Sequence, residues 1–315
     1  MEGHLFYPQH VNGTKYINLA RDLSIYNSKN EEITTRDGHL MGYIVEVMAH
    51  AAAAGSVELY TIPNSWRVRN AFRKFHFARE LMFEQAGITD EEKGRYGHTI
   101  RPYFSAHMRT AVNQLSSKKV TITGTGAPVA ANPTGGDWTF TKFASSPTLT
   151  QDDDGGGLTI PLVDEWDVCV LGNNQATESD DGVSVWTSVG MVHSYNKDRQ
   201  DVIVADATNQ PGTTVEGLNN PLASLRSQNL TTGEVVDIAK DLQEEEPPYD
   251  IEDTGDSTDA VIAKYWYMSA SGEAATRSLG TMFVPAGLFA IKSSATNCNG
   301  LALNVIGKVL CKDMA

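Results

Sequence analysis

The sequence predicts an all-β fold, an antiparallel β-sandwich with one long helix inserted after the early strands and with long surface loops. Three observations predict it. Beyond Lys119 the chain turns to Thr, Ser, Val and Gly, in short apolar segments separated by turn signals. Helical periodicity is sustained in one segment, just after Pro63. Regular alternation of strands and helices is missing, and no segment repeats at a fixed period, which disfavours a Rossmann sheet, a TIM barrel and a solenoid.

In order, Tyr16–Tyr26 has near-alternating apolar positions (Ile17, Leu19, then Leu23, Ile25) and reads as a strand with a bulge near Ala20. Tyr43–Met48 and Val57–Ile62 read similarly. Pro63 then stops the sheet, and Asn64 or Ser65 caps the next segment by accepting a hydrogen bond from an orphan amide. From Trp66 to about Ala86, the residues Val68, Ala71, Phe72, Phe75, Ala78 and Met82 recur at i, i+3, i+4 and i+7, one stripe on a helix. Gly87 ends it, so the inserted helix occupies 63–87 with its flanks. Phe77 and Leu81 fall outside the stripe and suggest a second buried side. Later strand candidates are Val120–Thr123, Trp138–Phe143, Leu158–Leu162, Trp166–Leu171, Val183–Val192, Val202–Ala205, Val261–Ser269, Thr281–Ile291 and Leu301–Leu310.

Two segments read as exposed loops. Gln151–Gly157 sets three adjacent carboxylates, Asp152, Asp153 and Asp154, beside three glycines that are costly to order. The stretch 206–259 reads as an acidic surface insertion between late strands, with a short helix over Glu234–Gln243 stopped by Pro247-Pro248. The whole of 1–315 is expected to form one domain around these elements.

Composition narrows the function classes. With 315 residues and 41% of them apolar, the chain can fill a large core. Its 25 Lys and Arg against 39 Asp and Glu leave a formal net charge of −14, which excludes polyanion binding over the whole surface. The charge is uneven: residues 1–120 balance at +3 and residues 121–315 at −17. A spanning helix needs about 20 apolar residues, and no such run occurs, so a soluble chain is expected. Residues 1–10 lack a basic start followed by an apolar stretch, and Cys169, Cys298 and Cys311 have no CxxC spacing. Both features predict cytosolic synthesis with reduced thiols.

Catalytic motifs are thin. Gly124-Thr-Gly126 lacks the third glycine and the following helix of a dinucleotide loop, and no phosphate-binding GxxxxGK[ST] occurs. The eight histidines form neither HExxH nor HxH, and His76 with Glu80 at i, i+4 reads as a solvated pair. Asp164, Glu165 and Asp167 around Trp166 offer a glycosidase-like carboxylate set, but in a strand Trp166 takes the face opposite Glu165 and Asp167. Asp152–Asp154 offers a hard-cation site without the spaced pattern of an EF-hand. No GxSxG elbow occurs, and Cys169 has no adjacent base. The expectation is a protein without catalysis, cofactor or metal.

One charged constellation stands out. Trp66–Arg79 holds five Lys or Arg and no acid, interleaved with aromatics, a composition suited to single-stranded nucleic acid. The candidate nucleic-acid-binding residues are Arg67, Arg69, Arg73, Lys74, His76 and Arg79, joined by Lys118 and Lys119. Arg69, Arg73 and His76 share one flank of the stripe, and Arg67 and Lys74 the other. Intersubunit salt bridges or an ordinary solvated face are the structural alternatives.

The segment Ile62-Pro-Asn-Ser-Trp-Arg-Val-Arg-Asn-Ala71, the stretch Tyr96-Gly-His-Thr-Ile-Arg-Pro-Tyr103 and the closing Phe283-Val-Pro-Ala-Gly-Leu288 resemble the coat proteins of small circular single-stranded DNA viruses, the stool-associated and smacovirus-like group. The resemblance covers nearly the whole chain. It implies a single jelly roll that self-assembles into an icosahedral shell of sixty copies or a multiple of sixty around a nucleic-acid genome. It also implies residence in the virion after synthesis in the host cytoplasm, assembly in nucleus or cytoplasm, no membrane contact, and room for a host receptor on the outer loops. Coat proteins of many such viruses begin with an arginine-rich arm, and residues 1–14 here hold no Lys or Arg, so genome contact is expected to be weak, with packaging charge either from the eight basic residues or from counterions. A double jelly roll needs about sixteen strands, more than the roughly twelve candidates here. Rival classes are a carbohydrate-binding or carbohydrate-cleaving β-sandwich and a phage tail or spike module.

Overall fold

In a computed structural model, the described residues are 3–8, 11–51, 54–89, 91–121, 129–131, 138–144, 148–150, 160–162, 165–178, 184–200, 260–268, 275–298 and 300–311. The strand candidate Val202–Ala205, the 206–259 insertion with its short helix, the Asp152–Asp154 loop and Asp164 lie outside them. Along the first part of the chain run β1 (His4–Tyr7), β2 (Val11–Asn18), α1 (Leu19–Asn27), β3 (Met41–Ala51), β4 (Gly55–Thr61) and α2 (Trp66–Gln85). Short strands follow: β5 (Gln114–Leu115), β6 (Lys119–Thr121), β7 (Val129–Ala131), β8 (Lys142–Ala144), β9 (Thr148–Thr150) and β10 (Ile160–Leu162). Then come β11 (Glu165–Cys169), β12 (Gln175–Glu178), β13 (Ser184–Gly190) and α3 (Met191–Gln200). The chain closes with β14 (Val261–Met268), β15 (Ala275–Pro285), β16 (Leu288–Cys298) and β17 (Gly300–Leu310). Strand dominates, in mostly antiparallel sheets; β2 with β5 and β11 with β13 are parallel pairs.

The chain divides into two compact units. The first comprises residues 1–69, 103–139 and 260–315. Its eight principal strands pair as one long hairpin that has been rolled up. The first strand pairs with the last (β1 with β17), the second with the seventh (β2 with β16), the third with the sixth (β3 with β15) and the fourth with the fifth (β4 with β14). Rolling adds two further antiparallel pairs, β3 with β17 and β4 with β16. The result is a sheet in the order β1-β17-β3-β15 and a second in the order β14-β4-β16-β2-β5.

The two-residue period of an extended chain gives each sheet one apolar side. Tyr43, Val45, Val47 and Ala49 of β3 and Leu301 and Leu303 of β17 are buried, as are Val57 and Leu59 of β4 and Phe289 and Ile291 of β16. Contacts of β3 with β16 and of β15 with β4 join the two sheets through these sides. On its other side, the five-stranded sheet is covered at β2, where Tyr16 packs its ring 5.5 Å from Phe104 and meets the Ser105 hydroxyl at 3.1 Å.

The second unit comprises residues 70–102 and 140–259. Its sheet runs β12-β13-β11-β8. Phe143 and Trp166 stack at 4.8 Å and 11°, and Phe75 of α2 meets both edge-on, at 5.8 and 6.4 Å. Three polar contacts join α2 and α3 or brace α3: Asn70 Nδ2 donates to Tyr195 Oη at 3.3 Å, Lys74 pairs with Asp198, and Ser194 Oγ donates to Asn174 Oδ1 at 3.0 Å.

Several sequence expectations are corrected. The segment 16–26 is a strand only to Asn18, because the Asn18 side chain accepts from the Arg21 amide at 3.1 Å and starts a helix in which Leu19, Ala20 and Leu23 are buried. The expected strand Val183–Val192 stops at Gly190, where α3 begins. The expected strand Thr281–Ile291 is two strands, parted by a turn in which Ala286 and Gly287 have φ of 56° and 67°. Regular strand covers only Lys142–Ala144 around the candidate Trp138–Phe143. Phe77 is exposed, so α2 gains no second buried side there.

Candidate functional site

The basic segment lies on α2. Ser65 opens the helix by accepting from the Val68 amide at 3.3 Å, the i to i+3 bond of an N-cap. Val68, Ala71, Phe72 and Phe75 then form the buried stripe, and Gly87, with φ of 72°, follows the last turn. A helix with this stripe fixes where its basic residues point, and most point into protein. Arg67, Arg69 and His76 are 2%, 3% and 6% exposed. A guanidinium at that depth has no phosphate to reach in the folded chain.

Taken singly, the eight residues divide by partner. Arg67 lies over the Trp66 ring at 5.2 Å. Arg69 donates to the Asn64 carbonyl at 3.2 Å and its side-chain oxygen at 3.1 Å, which ties the first helical turn to the loop before it. Lys74 is committed to the buried Asp198. The His76 ring meets Phe77 edge-on at 6.2 Å. Arg79 donates to the Thr99 carbonyl and to Thr141 Oγ1 at 3.1 Å, and packs over Phe83 at 5.4 Å. Burial, aided by the nearby Arg101 charge, lowers the Arg79 pKa to about 10. Lys118 is half-buried, with its amide donating to the Phe6 carbonyl at 2.7 Å. Lys119 contributes its backbone to β6, and its side chain lies outside the described residues. Arg73 is half-buried, with its Nε unpaired.

Trp166 is buried against Phe143 and Phe75, with Glu165 exposed on the other face and paired to Lys142 at 2.5 Å. It therefore presents no platform for a sugar. The thiols are equally withdrawn. Cys169 Sγ lies 3.0 Å from Ser188 Oγ in the interior, and burial pushes the Cys311 thiol up to about 12, so little thiolate forms there at neutral pH. Among the described residues, no group of three or more His, Cys, Asp and Glu is placed to hold a metal ion, and no helix is long and apolar enough to cross a membrane.

A second polar cluster, not anticipated from the sequence, lies in the first unit. Buried Asp22 accepts from Arg21 Nε at 2.9 Å, from Tyr7 Oη at 2.5 Å and from the Ser117 amide at 3.3 Å. Arg21 continues to Gln114 Oε1 at 2.9 Å and to the Leu115 carbonyl. Ser117 Oγ accepts from the Phe6 amide at 3.1 Å. Burial pushes the Tyr7 hydroxyl well above its ordinary pKa, and the Asp22 charge adds to that. The cluster clamps β1, α1 and the 114–118 segment together. Its signal is the Asn18–Asp22 helix start, which the apolar alternation of 16–26 conceals.

The comparisons add no relative: the chain matches no protein-family model, no curated protein and no solved structure.

Proposed function

We propose that this protein is the structural subunit of an icosahedral virus shell, folded around a single jelly roll. What carries the reading is the strand order. Numbered one to eight, the principal strands of the first unit lie as 1-8-3-6 and 5-4-7-2 in their two sheets, the order that arises when two Greek keys interleave. Jelly rolls recur in viral capsids and in lectin domains. The buried position of Trp166 and the resemblance to coat proteins favour the capsid. In this reading copies of the chain enclose a single-stranded DNA genome as part of the virion, and the work of the protein is done at its contacts with neighbouring copies.

Genome contact is weak in this reading, because Arg67, Arg69, Lys74, His76 and Arg79 are held by their own subunit. Arg73 is the residue of the helix best placed to retain such a role, since it is only half-buried while Lys74 and Arg79 are committed to Asp198 and to Thr99 and Thr141. Arg73→Gln is expected to lower co-purifying nucleic acid while leaving the unfolding midpoint within experimental error. Electron microscopy of the purified chain tests the main reading. Uniform closed particles are expected, and a monomer that persists across salt and pH overturns it.

A further inference from the structure

Sheet edges are sites of adventitious pairing, and folded proteins blunt them with shortness, charge or a bulge. Among the described residues, the two main sheets of the first unit have four edges. β1 has four residues and β5 has two, so neither offers a long ladder. β15 shows exposed Thr276, Arg277 and Ser278 and is broken by a register shift between Ser278 and Gly280. The fourth edge, β14, has its register shift between Ile262 and Lys264 and a single charge, Lys264, and beyond them it carries neither. From Lys264 to Met268 it pairs with β4 without interruption, and among the described residues no strand lies on its other side.

Its side chains are as open as its backbone. Trp266 is the buried anchor, opposite Val57. On the other face Ile262, Tyr265 and Tyr267 are 55%, 59% and 63% exposed. The register shift between Ile262 and Lys264 is what brings Ile262 onto the same face as the two tyrosines, since it pairs with Tyr60, whose side chain points outward beside Glu58. Tyrosines clustered with an aliphatic residue and little charge are the composition of an interface core.

We propose that β14 is a self-association edge, at which a second copy of this chain pairs its own β14 antiparallel across a two-fold axis and continues the five-stranded sheet into its neighbour. The proposal rests on the capsid reading for its context. An open ladder demands an extended segment as occupant, and this strand complements itself. With Trp266 on the two-fold, all five residues of the regular stretch are paired. Tyr265 of each copy then stands opposite Tyr267 of the other, two aromatic cross-strand pairs on the outward face. The lone charge, Lys264, stands opposite position 268. A shift that sets Lys264 against Lys264 is disfavoured by like-charge repulsion. The interface is isologous, as a closed two-fold contact requires.

The experiment compares the full chain with its Tyr265→Lys/Tyr267→Lys double variant by light scattering and electron microscopy, with thermal unfolding as the folding control. The expected result is loss of assembly with an unfolding midpoint close to that of the parent, since both side chains are mostly solvent-exposed. Parent shells that the variant forms equally well overturn the edge and leave the capsid reading standing. A parent that stops at dimers, converted to monomers in the variant, supports the edge and removes the capsid reading. A parent monomeric at every concentration overturns both. A second measurement guards against misfolding of the double variant: Tyr265→Cys and Tyr267→Cys chains, mixed and oxidised, are expected to cross-link to each other at least tenfold faster than either does to itself. Equal rates overturn the proposed register and the edge with it.

Discussion

At the scale of single residues, the firmest commitment of this chain is Asp22. It is buried, accepts from three donors and links Arg21 to Tyr7. Replacing Asp22 by Ala takes the counter-charge from the Arg21 guanidinium and the acceptor from the Tyr7 hydroxyl, and removing one partner of a buried ion pair costs about 3–5 kcal/mol. Denaturant unfolding of Asp22→Ala is expected to show a loss of that size, with Asp22→Asn losing less because its one amide oxygen can still accept from Tyr7 and Ser117. Tyr60 offers a pH test. Its hydroxyl donates to Glu58, and that bond, with a smaller effect of burial, raises its pKa to about 12 from the ordinary 10. A raised folded value means that the bond contributes its full stability below pH 10 and loses it as pH rises towards 12. Phenolate absorbance should therefore contain a late-titrating tyrosine that Glu58→Gln shifts to lower pH, and an unchanged titration removes the bond.

Among elements, the contrast between α2 and α1 explains what sequence reasoning can reach. The α2 stripe repeats over about four turns and is bracketed by Ser65 and Gly87, so local pattern and local capping agree. α1 has nine residues, and Leu19, Leu23 and Ile25 fit two periods about equally well. Only the bond from the Arg21 amide to Asn18 decides the matter, together with the burial of Leu19 and Leu23 that tertiary packing imposes. The turn at Ala286–Gly287 is hidden in the sequence because its first left-handed residue is an alanine and not an Asn or Gly. The basic face of α2 misleads for a related reason: composition reports charge but not depth, and Arg67 and Arg69 prove to be interior. The Gly287 position is testable. A methyl group there would sit 2.9 Å from the Tyr43 ring, at a φ of 67° that side chains disfavour. Gly287→Ala is expected to lower stability by about 2 kcal/mol in denaturant unfolding, and a neutral result would refute the close approach.

For the molecule as a whole, strand existence follows from short-range alternation, but the pairing does not. Leu5 and Leu303 are partners in one sheet across almost the full length of the chain, and nothing in either segment names the other. Net charge acts at this scale too. Each copy carries −14, so on the proposed capsid reading closing many copies into one shell works against mutual repulsion that salt relieves, with a Debye length of about 30 Å at 0.01 M and 8 Å at 0.15 M. Assembly followed by light scattering is expected to be favoured as ionic strength rises over that range, and the opposite trend would point to ion pairs as the dominant contact. The pairing of the first strand with the last also sets a timetable. While the chain is being translated, β1, β2, β3 and β4 each wait for a mate that is made much later, β17, β16, β15 and β14, met in reverse order of synthesis. The first unit can therefore close only after β17 has been made, and on the proposed capsid reading a half-made subunit has no finished surface to offer a neighbour.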